Sequence, residues 1–296
     1  MKRTLTLILC AVCALLSCRA RAEVVTLPLD FSPGMKLQAS FPAKRGSEEF
    51  NHYEDPSITA TYESAHSDEW HVMYYLARIR IANGSQLRTA AAAGFDRRGV
   101  ARTEVMARRM NAVAAINGDY YTGNAGRYVL RQGQVFRDGM AENQDLLLID
   151  EDGDFHIILA EEHPETMDRT TINGKRVNNA LCFGPALIRD GEVVMNPDRA
   201  PAASNPKSGE RRIALCQMGP LDYMVITVAY SGMTLELFTQ FLATFDGIQQ
   251  AYNLDGGNSC HLAFMGNWRD QTDSNGGDDY RSVPDIVYFA SAWQAE

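Results

Sequence analysis

Apolar residues recur along this chain with two different periods. Between Trp70 and Ile81, aromatic and β-branched residues follow one another almost without a break, which is typical of a strand. Farther along, four apolar residues stand at i, i+3, i+4 and i+7: Phe238, Phe241, Leu242 and Phe245. This spacing places them on one face of a helix, with Thr234 as its expected N-cap and Gly247 as its expected stop. The chain therefore combines strands with at least one amphipathic helix.

Short apolar runs predict most of the remaining strands. They are Val113–Ile116, Tyr128–Leu130, Asp145–Ile149, Phe155–Leu159, Ala186–Ile188, Glu192–Met195, Ile213–Cys216, Tyr223–Ala229, Gln250–Leu254, His261–Met265 and Asp285–Phe289. Turn signals such as Asp152-Gly153 and Asp190-Gly191 separate several of them, which favours hairpins and antiparallel pairing. Thr103 is the expected cap of a further helix. The pattern predicts an α+β fold with a mixed, largely antiparallel sheet and a few packed helices in a single compact domain.

The N-terminus has the features of a secretory signal. Lys2 and Arg3 precede an apolar stretch that is too short to span a bilayer comfortably, and Ala20-Arg21-Ala22 fits a cleavage site. We therefore expect a signal peptide at residues 1–22. The mature protein would begin at Glu23 and work in the periplasm or outside the cell.

The rest of the chain divides into a lead-in and one domain. Residues 23–65 are turn-rich and weakly periodic, whereas 66–296 carries the strong apolar pattern. No later run is long and apolar enough to predict a transmembrane helix. The alternative to a cleaved signal is a lipoprotein signal, Leu15-Leu16-Ser17-Cys18, which would keep a lipid anchor on Cys18.

Charge and cysteine content narrow the classes of partner and ligand. The chain has a formal net charge of −9, and removal of the signal, with four basic residues and no acidic one, brings it to about −13. This charge disfavours nucleic acid and anionic membranes as general partners. Cys182, Cys216 and Cys260 remain in the body without the spacing of a zinc site. We expect them to be buried and free, although a Cys182–Cys216 bridge stays open in an exported protein.

Two segments at predicted strand ends carry the same arrangement of amide and carboxylate. They are Asn117-Gly118-Asp119 and Asn253-Leu254-Asp255. Residues two apart in an extended chain point to the same face, so each segment presents an Asn beside an Asp. Gly256 and Gly257 then allow a sharp turn that exposes backbone N–H groups, which suits an oxygen-rich ligand. We expect the two segments to converge in one cleft, although a tight hairpin turn is the plainer interpretation of Asp255-Gly256-Gly257.

Several segments together resemble the phosphodiester glycosidase domain family. They fall in the family's order across roughly residues 70–290 and are Thr103–Tyr121, Cys182–Gly191, Arg212-Ile213-Ala214, Gly232-Met233-Thr234-Leu235, Tyr252–Ser259 and Arg281-Ser282-Val283. The family includes an enzyme that removes N-acetylglucosamine from a sugar–phosphate–sugar diester. This chain departs from the family's pattern at Asn258, Cys260 and Pro284-Asp285, which leaves the identity of its substrate open.

The resemblance implies a glycoside hydrolase that acts on a carbohydrate or sugar phosphate. Asp119 and Asp255 are the candidate catalytic carboxylates, because cleavage at an anomeric carbon requires carboxylates and a water molecule. Arginine suits phosphate, since its planar fork matches the phosphate oxygens. The candidate substrate-binding residues are Arg212 and Arg281, with Arg211 as a third choice, and Asn117, Gly118, Asn253, Gly256, Gly257 and Ser259.

Other interpretations of these residues remain open. The carboxylates could cap turns, the arginines could form structural ion pairs, and His71 and His261 are expected to be packed. No cofactor is implied, although the two aspartates could bind a divalent cation. A metal-dependent phosphodiesterase and a non-catalytic glycan-binding envelope protein are therefore the alternative functions.

Overall fold

The structure, a computed structural model, describes residues 23–29, 51–123, 127–139, 144–163, 167–270 and 281–294. The predicted signal at 1–22, with its alternative anchor at Cys18, lies outside the described residues. Within these ranges, no helix is long and apolar enough to cross a membrane.

Strands make up most of the regular structure. In chain order they are β1 (Glu23–Val24), β2 (His52–Asp55), β3 (Ile58–Ser67), β4 (Val72–Ile81), β5 (Leu87–Ala91), β6 (Ala112–Asn117), β7 (Val129–Arg131), β8 (Gln134–Arg137), β9 (Leu146–Asp150), β10 (Phe155–Ile158), β11 (Thr171–Ile172), β12 (Lys175–Leu181), β13 (Ala186–Arg189), β14 (Glu192–Val193), β15 (Glu210–Gly219), β16 (Asp222–Met233), β17 (Gln250–Asn253), β18 (Leu262–Phe264), β19 (Asn267–Trp268), β20 (Asp285–Ala290) and β21 (Trp293–Gln294). Two α-helices occur in the described residues, α1 (Thr103–Arg109) and α2 (Leu235–Leu242).

Three sheets surround the main core. The eight-stranded sheet has the order β14-β13-β17-β15-β16-β4-β3-β2, and the five-stranded sheet has the order β19-β18-β6-β20-β5. The six-stranded sheet runs β10-β9-β12-β7-β8 with β11 paired to β12, while β1 and β21 form a separate pair. Every strand pair in the described part of the chain is antiparallel. The expected α+β class with largely antiparallel sheets is confirmed, with strands dominating.

Strand β16 shows why a continuous apolar run forms a central strand. Successive side chains of a strand point to opposite faces. Tyr223 and Val225 enter the main core between the sheets. Met224 and Ile226 point the other way, into a second cluster that also contains residues of α2. Because both faces are covered, both sets of positions are largely apolar, with the buried Thr227 as an exception.

Helix α2 covers the outer face of the eight-stranded sheet as predicted. The hydroxyl oxygen of Thr234 accepts a hydrogen bond from the N–H of Leu237, which confirms the predicted cap. Phe238, Phe241 and Leu242 are buried, and each such side chain contributes roughly 1.5–3 kcal/mol. The helix ends at Leu242, so Phe245, predicted on the same helical face, and Gly247, the predicted stop, both lie beyond it.

Some strands contain many polar side chains, so the pattern of apolar residues did not predict them. The predicted lead-in at 23–65 contains β2 and most of β3, which complete one edge of the eight-stranded sheet, although only Ile58 and Ala60 of β3 are buried. Strand β12 contains buried Asn178 and Asn179, so it also lacks a continuous apolar run. The predicted cap at Thr103 is wrong, because Thr103 is the first residue of α1 and is buried.

Candidate active site

The two predicted motif segments meet where strands of two different sheets end. Strand β6 of the five-stranded sheet ends at Asn117, and β17 of the eight-stranded sheet ends at Asn253. The Asn117 amide donates to the carbonyl oxygen of Asp255 at 2.7 Å and accepts from the N–H of His261 at 3.0 Å. One side chain therefore joins the two segments directly.

The side chains of both asparagines form hydrogen bonds with backbone groups. The Asn253 amide donates to the carbonyl oxygen of Gly184 at 2.7 Å, and both asparagines are buried. Buried amides are expensive to leave without partners, so these bonds fix the segments that they join.

Two glycines allow the segments to approach their neighbours closely. A Cβ atom on Gly118 would lie 2.3 Å from the carboxylate of Asp285, and one on Gly256 would lie 2.5 Å from the carbonyl oxygen of Arg211. Both separations are shorter than any normal contact. Gly118 and Gly256 are therefore required by packing, whether or not they also bind substrate.

Asp119 is held on both of its carboxylate oxygens. Oδ1 accepts from Nη2 of Arg131 at 2.7 Å, and Oδ2 accepts from the N–H of Cys182 at 2.8 Å. The side chain is 2% exposed. This arrangement fixes a negative charge at the end of β6.

Arg131 lies between two carboxylates. Its Nη2 is 2.7 Å from Asp119 and 3.4 Å from Asp285, and all three side chains are buried. Burial lowers the pKa of Arg131, but the two carboxylates raise it by a larger amount. The guanidinium therefore stays charged. Burial together with the negative charge of Asp119 raises the pKa of Asp285. Sequence reasoning missed this arrangement, although an arginine beside the predicted apolar strand Tyr128–Leu130 is a usable signal.

Asp255 differs from Asp119 in its surroundings. It is also buried, but its Oδ2 has no hydrogen-bond partner within the described residues. Burial, aided by the charge of Asp119, raises the pKa of Asp255 to about 6, while Ser259 and Arg281 act in the opposite direction. Asp255 can therefore exchange a proton near neutral pH.

A cavity of about 410 Å³ is lined by residues that interact with this carboxylate, and we call it the first cavity. Its lining includes Ser259 and Arg281, both of which act on Asp255, together with Arg98, Tyr120 and Thr122. Arg98 and Arg281 are exposed, and neither forms an ion pair with any described residue. Two arginines that form no ion pair among the described residues suit an anionic substrate.

Tyr120 lines the first cavity with a strained backbone. Its φ of 55° lies in the left-handed region, which costs a residue other than glycine roughly 1–3 kcal/mol. It follows Asp119 directly, so the anchoring of that carboxylate and the strain occur in the same turn. Such strain is common where a chain presents side chains to a ligand.

The structure corrects the prediction that Arg212 binds phosphate. Its guanidinium is buried and donates to four backbone carbonyl oxygens at 2.5–2.8 Å, those of Ser204, Asn205, Ser208 and Met233. Burial lowers its pKa to about 10. Arg211, the third choice, is buried against Asp270 at 2.9 Å. Arg212 and Arg211 therefore join neighbouring segments of the chain. In contrast, Arg281 lines the first cavity, and Arg98, which was not predicted, lines it too.

His261 is packed as expected, whereas the same expectation for His71 is wrong, because His71 is exposed in a turn. His261 is buried with its ring 5.6 Å from that of Trp268, and burial lowers its pKa to about 3, so it stays neutral. Cys182, Cys216 and Cys260 are buried and free, as expected. No group of three His, Cys, Asp or Glu side chains in the described ranges has the geometry of a metal site.

The family of the protein follows from its sequence match. The family model described as phosphodiester glycosidase matches residues 110–290, more than half of the chain. The protein belongs to the phosphodiester glycosidase family. The match contains Asp119, Asp255 and Arg281, whereas Arg98 precedes it. No curated protein matches the sequence.

Two solved structures share the fold. The catalytic domain of zebrafish N-acetylglucosamine-1-phosphodiester alpha-N-acetylglucosaminidase, auto-inhibited by its pro-peptide, superposes with a TM-score of 0.59 at 15% identity. That match covers 91% of this chain and 98% of the zebrafish chain. A hypothetical protein from Synechocystis has a TM-score of 0.58 at 16% identity over 78% of this chain and 62% of its own. At these identities the similarity establishes the fold.

Proposed function

We propose that this protein is an exported glycosidase that hydrolyses a sugar phosphodiester or a related envelope glycoconjugate at the anomeric carbon. The observation that carries this proposal is that Asp255, a buried carboxylate with a raised pKa, interacts with Ser259 and Arg281 of a cavity lined also by Arg98, and that neither arginine forms an ion pair with a described residue. Membership of the phosphodiester glycosidase family supports the same reaction class.

The site contains the groups that this reaction needs. Cleavage of the bond from an anomeric carbon to oxygen passes through an oxocarbenium-like state, which a carboxylate stabilises while it activates water or attacks the sugar. Asp255 has a buried oxygen that no described residue bonds, and we assign it this role. Asp119, held by Arg131, contributes a fixed negative charge nearby.

Arg98 and Arg281 would bind the phosphodiester. The departing phosphate monoester has a second pKa of about 6, so it leaves without strong protonation of the leaving oxygen. The planar guanidinium groups of the two arginines would hold the phosphate oxygens through bidentate hydrogen bonds. This division of roles places the sugar toward Asp255 and the phosphate toward the arginines.

Export is the part of the proposal that depends on the sequence alone. Lys2, Arg3 and the apolar stretch after them support secretion, with cleavage after Ala22 or lipidation at Cys18. N-terminal mass analysis of the native protein distinguishes these forms, and an unprocessed Met1 would exclude both.

The replacement of Arg281 by lysine tests phosphate recognition. We expect Arg281→Lys to lower kcat/KM for a glycosyl-1-phosphodiester about 10- to 100-fold, because a single ammonium cannot form the bidentate pair. An aryl glycoside of the same sugar should lose much less. The rates are measured side by side with Arg109→Lys, a change at an exposed arginine of α1 that should affect neither substrate. Equal losses on the two substrates would contradict a phosphate-binding role for Arg281.

A further inference from the structure

A second, smaller cavity continues from the first. It has a volume of about 220 Å³, and we call it the second cavity. Arg98 and Thr122 line both cavities, so the two spaces meet at these residues. A ligand bound through phosphate at Arg98 could therefore extend into either one.

One wall of the second cavity is aromatic. Phe95 lies with its ring centre 5.6 Å from that of Tyr121 and 5.4 Å from that of Phe136. Tyr121 is buried, but Phe95 and Phe136 are only partly covered. Aromatic rings that remain accessible inside a cavity suit a ligand with a ring face.

The lining of the second cavity is positively charged, although the protein as a whole is acidic. Its lining contains three arginines and one acidic residue, namely Arg97, Arg98, Arg137 and Asp96. Arg97 and Asp96 are 3.8 Å apart and exposed, so this pair is weak. A single phosphodiester carries one negative charge, and Arg98 with Arg281 already balances it. Arg97 and Arg137 therefore leave positive charge for a further anionic group.

Arg131 supports both the aromatic wall and the reaction site. Its guanidinium carbon lies 5.6 Å from the ring centre of Phe95, and its Nη2 is 2.7 Å from Asp119. Arg137 is held in turn by the carbonyl oxygens of Arg127 at 2.7 Å and Tyr121 at 2.6 Å. The second cavity is thus built on the same buried framework as the turn that carries Asp119.

We propose that the second cavity binds the leaving-group side of the substrate, and that this aglycone is a ring compound with a second negative charge, such as an acidic or phosphorylated sugar. The inference rests on the proposed function, because it assigns the first cavity to the sugar that is released. In this arrangement the phosphodiester lies between the cavities at Arg98, the aglycone ring packs on Phe136, and its second acidic group faces Arg97.

Product binding tests this subsite without requiring turnover. The probes are inorganic phosphate, a hexose monophosphate and a hexose bisphosphate, measured by calorimetry on the full mature chain. We expect the monophosphate to bind more tightly than inorganic phosphate, and the bisphosphate about tenfold more tightly again at low salt, with that second gain shrinking as salt is added. Equal dissociation constants for the two sugar phosphates would overturn the requirement for a second charge.

Two variants assign the effects to the proposed residues. Phe136→Ala should weaken both sugar phosphates about tenfold and leave inorganic phosphate unchanged, whereas Phe245→Ala, at a partly buried ring that lines neither cavity, should change none of them. Arg97→Gln should remove the advantage of the bisphosphate, with Arg109→Gln as its control. Unchanged binding in both Phe136→Ala and Arg97→Gln would overturn the subsite. Retained binding with no hydrolysis of any phosphodiester would instead overturn the proposed function alone.

Discussion

Asp119 and Asp255 show how the same side chain acquires different properties from its neighbours. Asp119 bonds through both oxygens, to Arg131 and to the N–H of Cys182. Asp255 is buried with an oxygen that no described residue bonds, and its pKa is raised to about 6. A carboxylate that has a strong partner is suited to holding a position, whereas one that burial destabilises is suited to reacting. We therefore propose that Asp255 takes part in the reaction and that Asp119 supports it.

The pH dependence of catalysis should follow Asp255. A carboxylate that acts as base or nucleophile must be ionised, so kcat/KM should rise with pH through about 6 and level off above it. Asp255→Asn should reduce turnover by orders of magnitude at every pH. A rate that falls as pH rises through this range would show that the essential form is the acid, against this assignment.

The same variant should be more stable than the parent at neutral pH. Because the folded pKa of Asp255 lies above its unfolded value, ionisation costs folding free energy above about pH 6, and the cost disappears as pH falls below about 4. Asp255→Asn should thus gain up to about 3 kcal/mol at pH 7 and little at pH 4. Thermal unfolding of this variant, beside the exposed control Asp246→Asn, measures the difference. Lower stability of Asp255→Asn at pH 7 would contradict the raised pKa.

At the scale of elements, the ends of strands from different sheets are joined by buried polar groups. Arg131 is the last residue of β7 in the six-stranded sheet, and it pairs with Asp119, just beyond β6, and with Asp285 of β20. Asn117 joins the end of β6 to the segment after β17. The candidate site therefore occupies a junction whose geometry depends on these bonds.

Removal of one partner should destabilise this junction. Asp119→Asn leaves Arg131 buried with one carboxylate, and loss of a partner from a buried ion pair typically costs about 3–5 kcal/mol. The exposed pair Arg80–Asp222, also at 2.7 Å, is the matched comparison, and Asp222→Asn should cost less than about 1 kcal/mol. Denaturant unfolding of both variants measures the two costs. Similar small values would mean that Arg131 does not depend on Asp119.

The sequence predicted elements well where apolar residues dominate and poorly where buried polar residues do the packing. The stripe of α2 and the strand at 72–81 are evident because their burial is almost wholly apolar. Strand β12 was not predicted because it contains the buried polar residue Asn179. The side-chain oxygen of Asn179 accepts hydrogen bonds from the hydroxyl of Thr89 and from the N–H of Gln132. Buried polar contacts also limited the prediction of the site. The meeting of the two motifs was predictable from their strand ends, but the function of Arg212 depends on four carbonyl groups brought together only by the fold.

At the scale of the whole molecule, the fold places an arginine-lined cleft on an acidic protein. The formal net charge of −9 opposes the approach of anions over most of the surface. Arg98 and Arg281 reverse the sign locally, beside Asp255. We propose that the site combines phosphate binding with a carboxylate that acts on a sugar, as cleavage at carbon requires.

The most direct test of this account is the identity of the bond that breaks. A glycosyl-1-phosphodiester that the protein cleaves is hydrolysed in ¹⁸O-labelled water, and the released phosphate monoester is analysed by mass spectrometry. The phosphate is the informative product, because its oxygens do not exchange with water under these conditions, whereas the anomeric hydroxyl of the sugar can. We expect an unlabelled phosphate, since water attacks the anomeric carbon near Asp255. One ¹⁸O atom in the phosphate would show attack at phosphorus and would contradict the glycosidase mechanism.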